Sequence, residues 1–201
     1  MTAGAALRIL GLIGALRSLL VRFNDPKLAA FLADWPKRPR IDRDMQAVSL
    51  PVLAWLKGAA EKTVPATASP TRTLVALASE LAWRQTYTAD DFGAAFLQRY
   101  GFAELIGTRG PVASGRLACG FLLLGPDILY PVHRHEAEEI YVTMGGTAEW
   151  RTEADRWAPA PPGTLIHHAP WLPHAMRTAG DPMLALYLWR AGDLAQKSLI
   201  G

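Results

Sequence analysis

The chain has 201 residues, half of them hydrophobic, and a formal net charge of +3. This length supports one compact domain, with room for a helical extension. Lysine and arginine are dispersed along the chain, whereas a nucleic-acid-binding surface concentrates them, so we predict no nucleic-acid partner. The single cysteine, Cys119, excludes an internal disulfide and a thiolate metal site.

An apolar stretch near the N-terminus, residues 9–16, lies between Arg8 and Arg17. It is too short to span a bilayer, and no convincing small-residue cleavage site of a secretory signal follows it. We interpret the stretch as part of an amphipathic helix. We therefore expect a cytoplasmic protein with no membrane partner.

The first hundred residues carry the signals of helices. Ser49-Leu50-Pro51 and Ser69-Pro70 each combine an N-cap residue with a proline suited to the first turn, so we predict helices that begin there. Residues 59–69 are predicted to form a loop between these helices. The acids after Thr88 favour another helix start, and Gly101 suits the C-terminal end of that helix.

The pattern changes near residue 111, where short apolar runs alternate with turns rich in glycine and proline. These runs are residues 115–124, 139–143, 148–152, 164–168 and 183–189. Repeated short strands with such turns are typical of a sandwich or small barrel. We therefore predict a helical region, residues 1–110, that packs on a β-barrel formed by residues 111–201.

All five histidines of the chain fall between residues 133 and 174. Side chains two residues apart on a strand share a face, so His133 projects with His135, and Glu139 projects with Tyr141. A turn between the two pairs could bring them together, and His174 could join from a second hairpin. Imidazole and carboxylate ligands suit one divalent transition metal, namely Fe, Mn, Zn, Co or Ni.

The remaining two histidines, His167 and His168, are adjacent in the sequence. Adjacent residues of a strand point to opposite faces, so at most one of them can face the metal site. We expect both to be structural residues or to support the ligands from behind, with direct ligation by His168 left open.

The spacing His133-x-His135-x-x-x-Glu139, followed by six residues and Gly146, resembles the first motif of the cupin superfamily. Residues 173–177, Pro-His-Ala-Met-Arg, resemble the end of the second cupin motif. The resemblance implies a mainly β fold, a single double-stranded β-helix or jelly-roll barrel, with the metal inside its mouth. The chain departs from the motifs at Gly125, which lies further upstream than usual, and at Thr178, where asparagine is common.

A narrower resemblance rests on residues 130–141, Tyr-Pro-Val-His-Arg-His-Glu-Ala-Glu-Glu-Ile-Tyr, which are similar to the Q-type cupin lyases of dimethylsulfoniopropionate (DMSP). It implies a metal-dependent carbon–sulfur lyase that releases dimethyl sulfide and acrylate by β-elimination. Tyr141 would be a metal neighbour and the catalytic base, since a divalent cation lowers the pKa of a nearby phenol. Tyr130 would position the substrate or serve as the alternative base. The implied metal ligands are His133, His135, Glu139, Tyr141 and His174.

The implied substrate is a small zwitterion with a carboxylate and a dimethylsulfonium group. Aromatic faces bind such a cation, and Tyr130, Trp171, Tyr187 and Trp189 are the candidates. We expect Trp189 to be the contact, because it lies on the last predicted strand. Cupin enzymes often dimerise, so a homodimer is a further expectation.

Two other functions stay open on the sequence alone. One is another metal-dependent cupin enzyme, an Fe(II) dioxygenase or an isomerase. The other is a non-catalytic cupin sensor whose helical half binds DNA or a partner, although no helix-turn-helix with a basic recognition face is evident before residue 100.

Overall fold

The computed structural model describes residues 1–152 and 156–201. Helices dominate the N-terminal half of the chain. They are α1 (Ala3–Phe23), α2 (Ala29–Asp34), α3 (Leu56–Glu61), α4 (Pro65–Leu77), α5 (Ala89–Phe92) and α6 (Ala94–Leu97). Single 3-10 turns cover Pro26–Leu28, Pro51–Trp55 and Ala78–Glu80.

The first helix, α1, begins where the Thr2 hydroxyl accepts a hydrogen bond from the Ala5 amide at 3.1 Å. It extends well beyond the apolar stretch that predicted it. By length and composition alone, α1 could cross a membrane. In this fold one face of it is buried in the same apolar cluster as the barrel strands, through Ile9, Leu12, Ile13, Leu16, Leu19 and Leu20. This burial is that of an amphipathic core helix.

Two helix starts were predicted near residues 51 and 70, and one of them differs in the structure. The helix predicted to begin at Pro70 begins at Pro65, because a proline suits the first helical position there too and the Val64 amide donates to the Thr67 hydroxyl at 3.3 Å. Pro70 therefore lies inside α4, and residues 59–69 are largely helical rather than a loop. Helical structure does begin at Pro51, as predicted, first as a 3-10 turn and then as α3, but its N-cap is Leu50 rather than Ser49.

Gly101 does not end a helix, contrary to the prediction. The helix predicted after Thr88 is split into two single turns by Gly93, whose φ is +81°. Gly101 instead lies in a strand, where a Cβ atom would approach the Val52 side chain to 2.9 Å. Its glycine character therefore serves close packing against the 3-10 turn Pro51–Trp55.

The C-terminal half forms two sheets. The seven-stranded sheet contains β1 (Trp83–Arg84), β2 (Tyr100–Gly107), β3 (Val112–Ala113), β4 (Leu117–Leu124), β6 (Glu138–Gly146), β9 (Leu165–His168) and β11 (Met183–Arg190). The five-stranded sheet contains β5 (Leu129–Arg134), β7 (Ala148–Thr152), β8 (Ala158–Ala160), β10 (His174–Arg177) and β12 (Leu199–Ile200). The short β3 runs parallel to β2, and the other pairings between these strands are antiparallel. The sheets form the predicted cupin barrel.

Two strands of this barrel lie before residue 111. β2 pairs with β4 along most of its length, and β1 pairs with β2. From the sequence this part of the chain was expected to belong to the helical region, because Gly101 suits a helix end and the short apolar runs separated by glycine and proline begin only near residue 111. Long-range pairing with β4 decides its conformation.

Both faces of the larger sheet are buried, in two separate apolar clusters. Ile140 and Val142 of β6 belong to the cluster that includes α1 and α4, whereas Tyr141 belongs to the cluster inside the barrel. Burial on both sides explains the continuous apolar runs of β2, β4 and β11. The alternation of side chains therefore directs Glu139 and Tyr141 into the barrel, with the helices against the opposite face.

Candidate active site

Strand pairing brings the histidines together from distant parts of the chain. β5 and β10 pair His133 with His174, and β6 pairs Glu139 with His168 on one side and with Trp189 of β11 on the other. His135 lies just beyond the end of β5. All four of these histidines and Glu139 are buried.

Three of these side chains have ligand atoms close enough to share one ion. The ligand atoms of His135, Glu139 and His174 all lie within 4.8 Å of one another. The ring of His133 lies against that of His174, with centroids 4.2 Å apart. His133 is adjacent to the group but is not one of the three, so its ligation stays a prediction.

Backbone carbonyls fix the tautomers of the three sequence-predicted histidine ligands. The Nδ1 atoms of His133, His135 and His174 each lie 2.8 Å from a carbonyl oxygen two residues away along the chain. A carbonyl oxygen only accepts, so each Nδ1 carries the hydrogen and each Nε2 of a neutral ring presents a lone pair. Metal-binding histidines characteristically donate their second ring nitrogen in this way.

The lone pairs of two rings face a carboxylate oxygen. Nε2 of His135 lies 3.2 Å from Oε2 of Glu139, and Nε2 of His174 lies 3.3 Å from the same oxygen. Neutral rings in these tautomers and a carboxylate repel one another unless a proton or a metal cation lies between them. The donor set and its orientation therefore fit a divalent cation.

Burial and the close approach of the same side chains shift the pKa values of Glu139 and His135. Burial alone raises the pKa of Glu139, but the His135, His168 and His174 rings hold it well below its ordinary range. Burial alone lowers the pKa of His135, but the Glu139 carboxylate raises it above its ordinary value. The carboxylate thus stays ionised, and the site favours a positive charge beside it.

Two further side chains hold the Glu139 carboxylate in place. Nδ1 of His168 donates to Oε2 at 3.0 Å, and Nε1 of Trp189 donates to Oε1 at 2.5 Å. Burial lowers the pKa of His168 to about 4, so its ring is neutral near pH 7. Its Nε2 atom is buried and has no hydrogen-bond partner among the described residues. His167 points the other way, to Glu138 at 2.9 Å, as adjacent strand residues must.

The two predicted tyrosines occupy different surroundings. Tyr141 contacts the Glu139 carboxylate, and burial together with that negative charge raises the pKa of Tyr141 well above its ordinary value. Tyr130 stacks on the His133 ring at 4.1 Å, and its hydroxyl donates to the Tyr87 hydroxyl at 2.8 Å. Burial also raises the pKa of Tyr130, so without a cation neither phenol ionises near neutral pH.

A cavity of about 510 Å³, including its open mouth, lies beside Glu139. Most of its wall is aromatic or apolar. The lining residues are Thr86, Tyr87, Tyr100, Phe102, Glu104, Arg109, Leu122, Tyr130, Glu139, Tyr141, Tyr187, Trp189, Leu194, Gln196 and Ser198. Tyr130, Tyr187 and Trp189 thus line the cavity, whereas Trp171 does not and is 45% exposed.

Glu104 and Tyr87 are among the residues of this wall that sequence reasoning missed. Glu104 could have been found from the sequence, because it is the only charged residue in the apolar run of β2. A buried carboxylate in such a run is uncommon and indicates a specific role. No local feature of the sequence indicates Tyr87 as a site residue, because its contact with Tyr130 joins segments 43 residues apart. The bond between the Trp189 indole nitrogen and Glu139 was likewise not foreseen.

This architecture defines a class of protein, a cupin barrel with a buried His–Glu–His group that opens on an aromatic cavity. The chain belongs to the dimethylsulfoniopropionate lyase family, whose model matches residues 29–185. It is therefore a lyase of the type that cleaves a carbon–sulfur bond.

Individual members of this family are similar to the chain, in sequence and in structure, over nearly its whole length. It is 34% identical to the dimethylsulfoniopropionate lyase DddQ of Ruegeria pomeroyi, over 90% of both chains. The crystal structure of that lyase superposes with a TM-score of 0.86 at 33% identity, over 99% of this chain and 97% of the other. A chain from the crystal structures of the DMSP lyases RdDddP and RnDddQII gives a TM-score of 0.88 at 30% identity, over 98% and 99%.

Proposed function

We propose that this protein cleaves DMSP by β-elimination and releases dimethyl sulfide and acrylate. The observation that carries the proposal is the convergence of His135, Glu139 and His174 beside an aromatic cavity. Membership of the lyase family gives the substrate class.

His135, Glu139 and His174 would hold one divalent transition metal, Fe, Zn, Mn, Co or Ni, with His133 and Tyr141 as further ligands. When bound, the metal would act as a Lewis acid for the substrate carboxylate and lower the pKa of an adjacent phenol. Glu139 is the centre of the site, because His168 and Trp189 both donate to it and fix its orientation.

Tyr141 is the catalytic base in this proposal. Its oxygen takes the proton from the carbon next to the substrate carboxylate. The electron pair of that C–H bond forms the C=C bond of acrylate, and the C–S pair leaves with sulfur as dimethyl sulfide. Tyr141 is favoured over Tyr130 because Tyr141 contacts Glu139, whereas the Tyr130 hydroxyl is bound to Tyr87.

The aromatic wall of the cavity would hold the sulfonium group and exclude water. Trp189 remains the proposed contact, since it lines the cavity while its nitrogen is bound to Glu139. Tyr130 would position the substrate from the side of the His133 ring. We further propose a cytoplasmic protein and a homodimer, in which residues 1–110, apart from the barrel strands β1 and β2, form a helical region that packs on the barrel.

Headspace detection of dimethyl sulfide tests the function directly. Purified protein, loaded with each metal in turn, receives DMSP without oxygen, and His135→Ala is the metal-ligand control. Tyr141→Phe should keep its fold and most of its metal, which His135, Glu139 and His174 still hold, and should lose at least about 100-fold in turnover, the contribution typical of a general base. Gas from wild-type protein that persists in Tyr141→Phe excludes Tyr141 as the base. Absence of gas with all five metals excludes the lyase reaction, and oxygen uptake would then favour the dioxygenase.

A further inference from the structure

Glu104 lies in the same cross-strand row of the sheet as Tyr141, the proposed base. Across the strands, Glu104 is opposite Gly120, Gly120 is opposite Tyr187, and Tyr187 is opposite Tyr141. Three strand spacings separate the Cα atoms of Glu104 and Tyr141, or roughly 14 Å. Both side chains line the cavity, so a substrate between them has Tyr141 at one end and Glu104 at the other.

The absence of a side chain at Gly120 leaves space for the side chains of Glu104 and Tyr187 on either side of it. A Cβ atom there would lie 2.2 Å from the Ala103 carbonyl oxygen, 2.8 Å from Cα of Glu104 and 2.9 Å from the Tyr187 ring. Tyr187 and Glu104, two strands apart, meet across this gap.

The two oxygens of the Glu104 carboxylate have different surroundings. Oε1 accepts the Arg109 amide at 2.5 Å and so holds the turn after β2. Oε2 has a 3.4 Å contact with the Tyr187 hydroxyl, which is a long hydrogen bond. The Arg109 guanidinium donates to the Ala195 carbonyl at 2.6 Å, which engages part of its donor capacity away from Oε2.

A structural role for Oε1 therefore leaves Oε2 available to a ligand. Glu104 is 7% exposed and faces a mostly aromatic wall, which includes Phe102 and Tyr187 with ring centroids 6.3 Å apart. Burial raises the pKa of Glu104 above its ordinary value, although the Arg109 charge and the backbone amides of Arg109 and Gly110 lower it. A cation placed there relieves a buried charge that these groups compensate only in part. A carboxylate flanked by aromatic rings is suited to a cation without hydrogen-bond donors.

We propose that Glu104 is the counter-ion of the substrate's sulfonium group and determines the preference of the cavity for a cationic substrate. The inference rests on the proposed function for the orientation of the substrate, with its carboxylate at the Glu139 end. Phe102 and Tyr187 provide an aromatic surface without net charge, and Glu104 provides the charge.

A pair of ligands of the same shape tests this role. One is the trimethylammonium analogue of DMSP, and the other is its tert-butyl analogue, in which an uncharged carbon replaces the nitrogen. Calorimetry on metal-loaded protein gives the ratio of the two dissociation constants. Glu104→Gln keeps the size of the side chain and an oxygen for the Arg109 amide. Glu149→Gln, on β7 and outside the cavity, is the matched charge control.

We expect wild-type protein and Glu149→Gln to prefer the cationic ligand. In Glu104→Gln this preference should fall at least about tenfold, with the tert-butyl ligand bound about as before, because only a charge–charge attraction has been removed. Tyr187→Phe, which keeps the Glu104 charge, should retain the preference. Glu104→Gln should also raise KM for DMSP with little change in kcat.

Three outcomes would overturn the role of Glu104. The first is equal affinity of wild-type protein for the two ligands. The second is an unchanged ratio of the two dissociation constants in folded Glu104→Gln. The third is an equal loss of affinity for both ligands in that variant, which indicates a structural residue. The first needs no variant, so a Glu104→Gln protein that fails to fold leaves the proposal open to refutation. Failure of the proposed function gives a different result, no dimethyl sulfide from wild-type protein whatever the ligand ratio.

Discussion

Replacing Trp189 by phenylalanine separates two roles that the structure gives to one side chain. The indole nitrogen donates to Oε1 of Glu139 at 2.5 Å, while the ring packs on His135 with centroids 4.2 Å apart. Phenylalanine keeps an aromatic ring on His135 and in the cavity wall, but it removes the N–H that holds Oε1. We therefore expect Trp189→Phe to weaken metal binding more than it weakens folding.

The magnitude follows from the charge and burial of Glu139. A hydrogen bond to a charged group contributes about 1.5–3 kcal/mol, which corresponds to roughly 10- to 150-fold in an equilibrium constant. Glu139 is fully buried, so a lost donor costs more there than at the surface. The same range, about 10- to 100-fold, is typical when a residue that supports a metal ligand is removed.

The assay is a competition titration of metal-free protein against a chelator of known affinity. Trp150→Phe is the matched control, because the Trp150 indole nitrogen is also buried in the barrel but has no hydrogen-bond partner among the described residues. Trp150→Phe should bind metal within about twofold of wild type. If Trp189→Phe also binds metal as tightly as wild type, Glu139 does not need its indole partner to hold the ion, and the supporting role of Trp189 is wrong.

Two further predictions concern stability. In metal-free protein the pKa of His168 is about 4 and that of His133 lies well below its ordinary value, both through burial, so the unfolded chain binds more protons between about pH 6.5 and 4. The free energy of unfolding should therefore fall as pH falls through this window, by roughly 3 kcal/mol for His168 alone, against an opposite effect of His135. Urea unfolding at a series of pH values measures it, and an unchanged slope in His168→Asn would contradict the assignment. Separately, Gly120→Ala should lose about 1–3 kcal/mol or more, because its Cβ atom meets the Ala103 carbonyl, whereas Gly115→Ala, with nothing within 4 Å, should lose little; equal stability of the two variants would refute the close approach of β2 and β4.

The barrel and most of its candidate ligands could be predicted from the sequence because both rest on local patterns. Spacing of two along a strand places side chains on one face, so His133 could be paired with His135, and Glu139 with Tyr141, from their positions in the chain alone. The adjacent pair His167 and His168 was correctly expected to point to opposite faces, and His168 is the one that reaches Glu139.

Local patterns failed where a distant partner decides the conformation. β2 was assigned to the helical region because no feature near it in the sequence indicates its pairing with β4. Gly101 was assigned to a helix end, although its lack of a side chain allows close packing against Val52. The start of α4 was displaced because two proline signals, Pro65 and Pro70, compete, and the earlier one begins the helix.

The types of candidate ligand, their spacing along strands and the resemblance to a lyase family can all be read from the sequence. Which atoms meet cannot, because a contact such as Trp189 with Glu139, or Glu104 with Tyr187, depends on the register of strands far apart in the chain. Side-chain periodicity is a property of one strand, whereas register is fixed by the pairing of several.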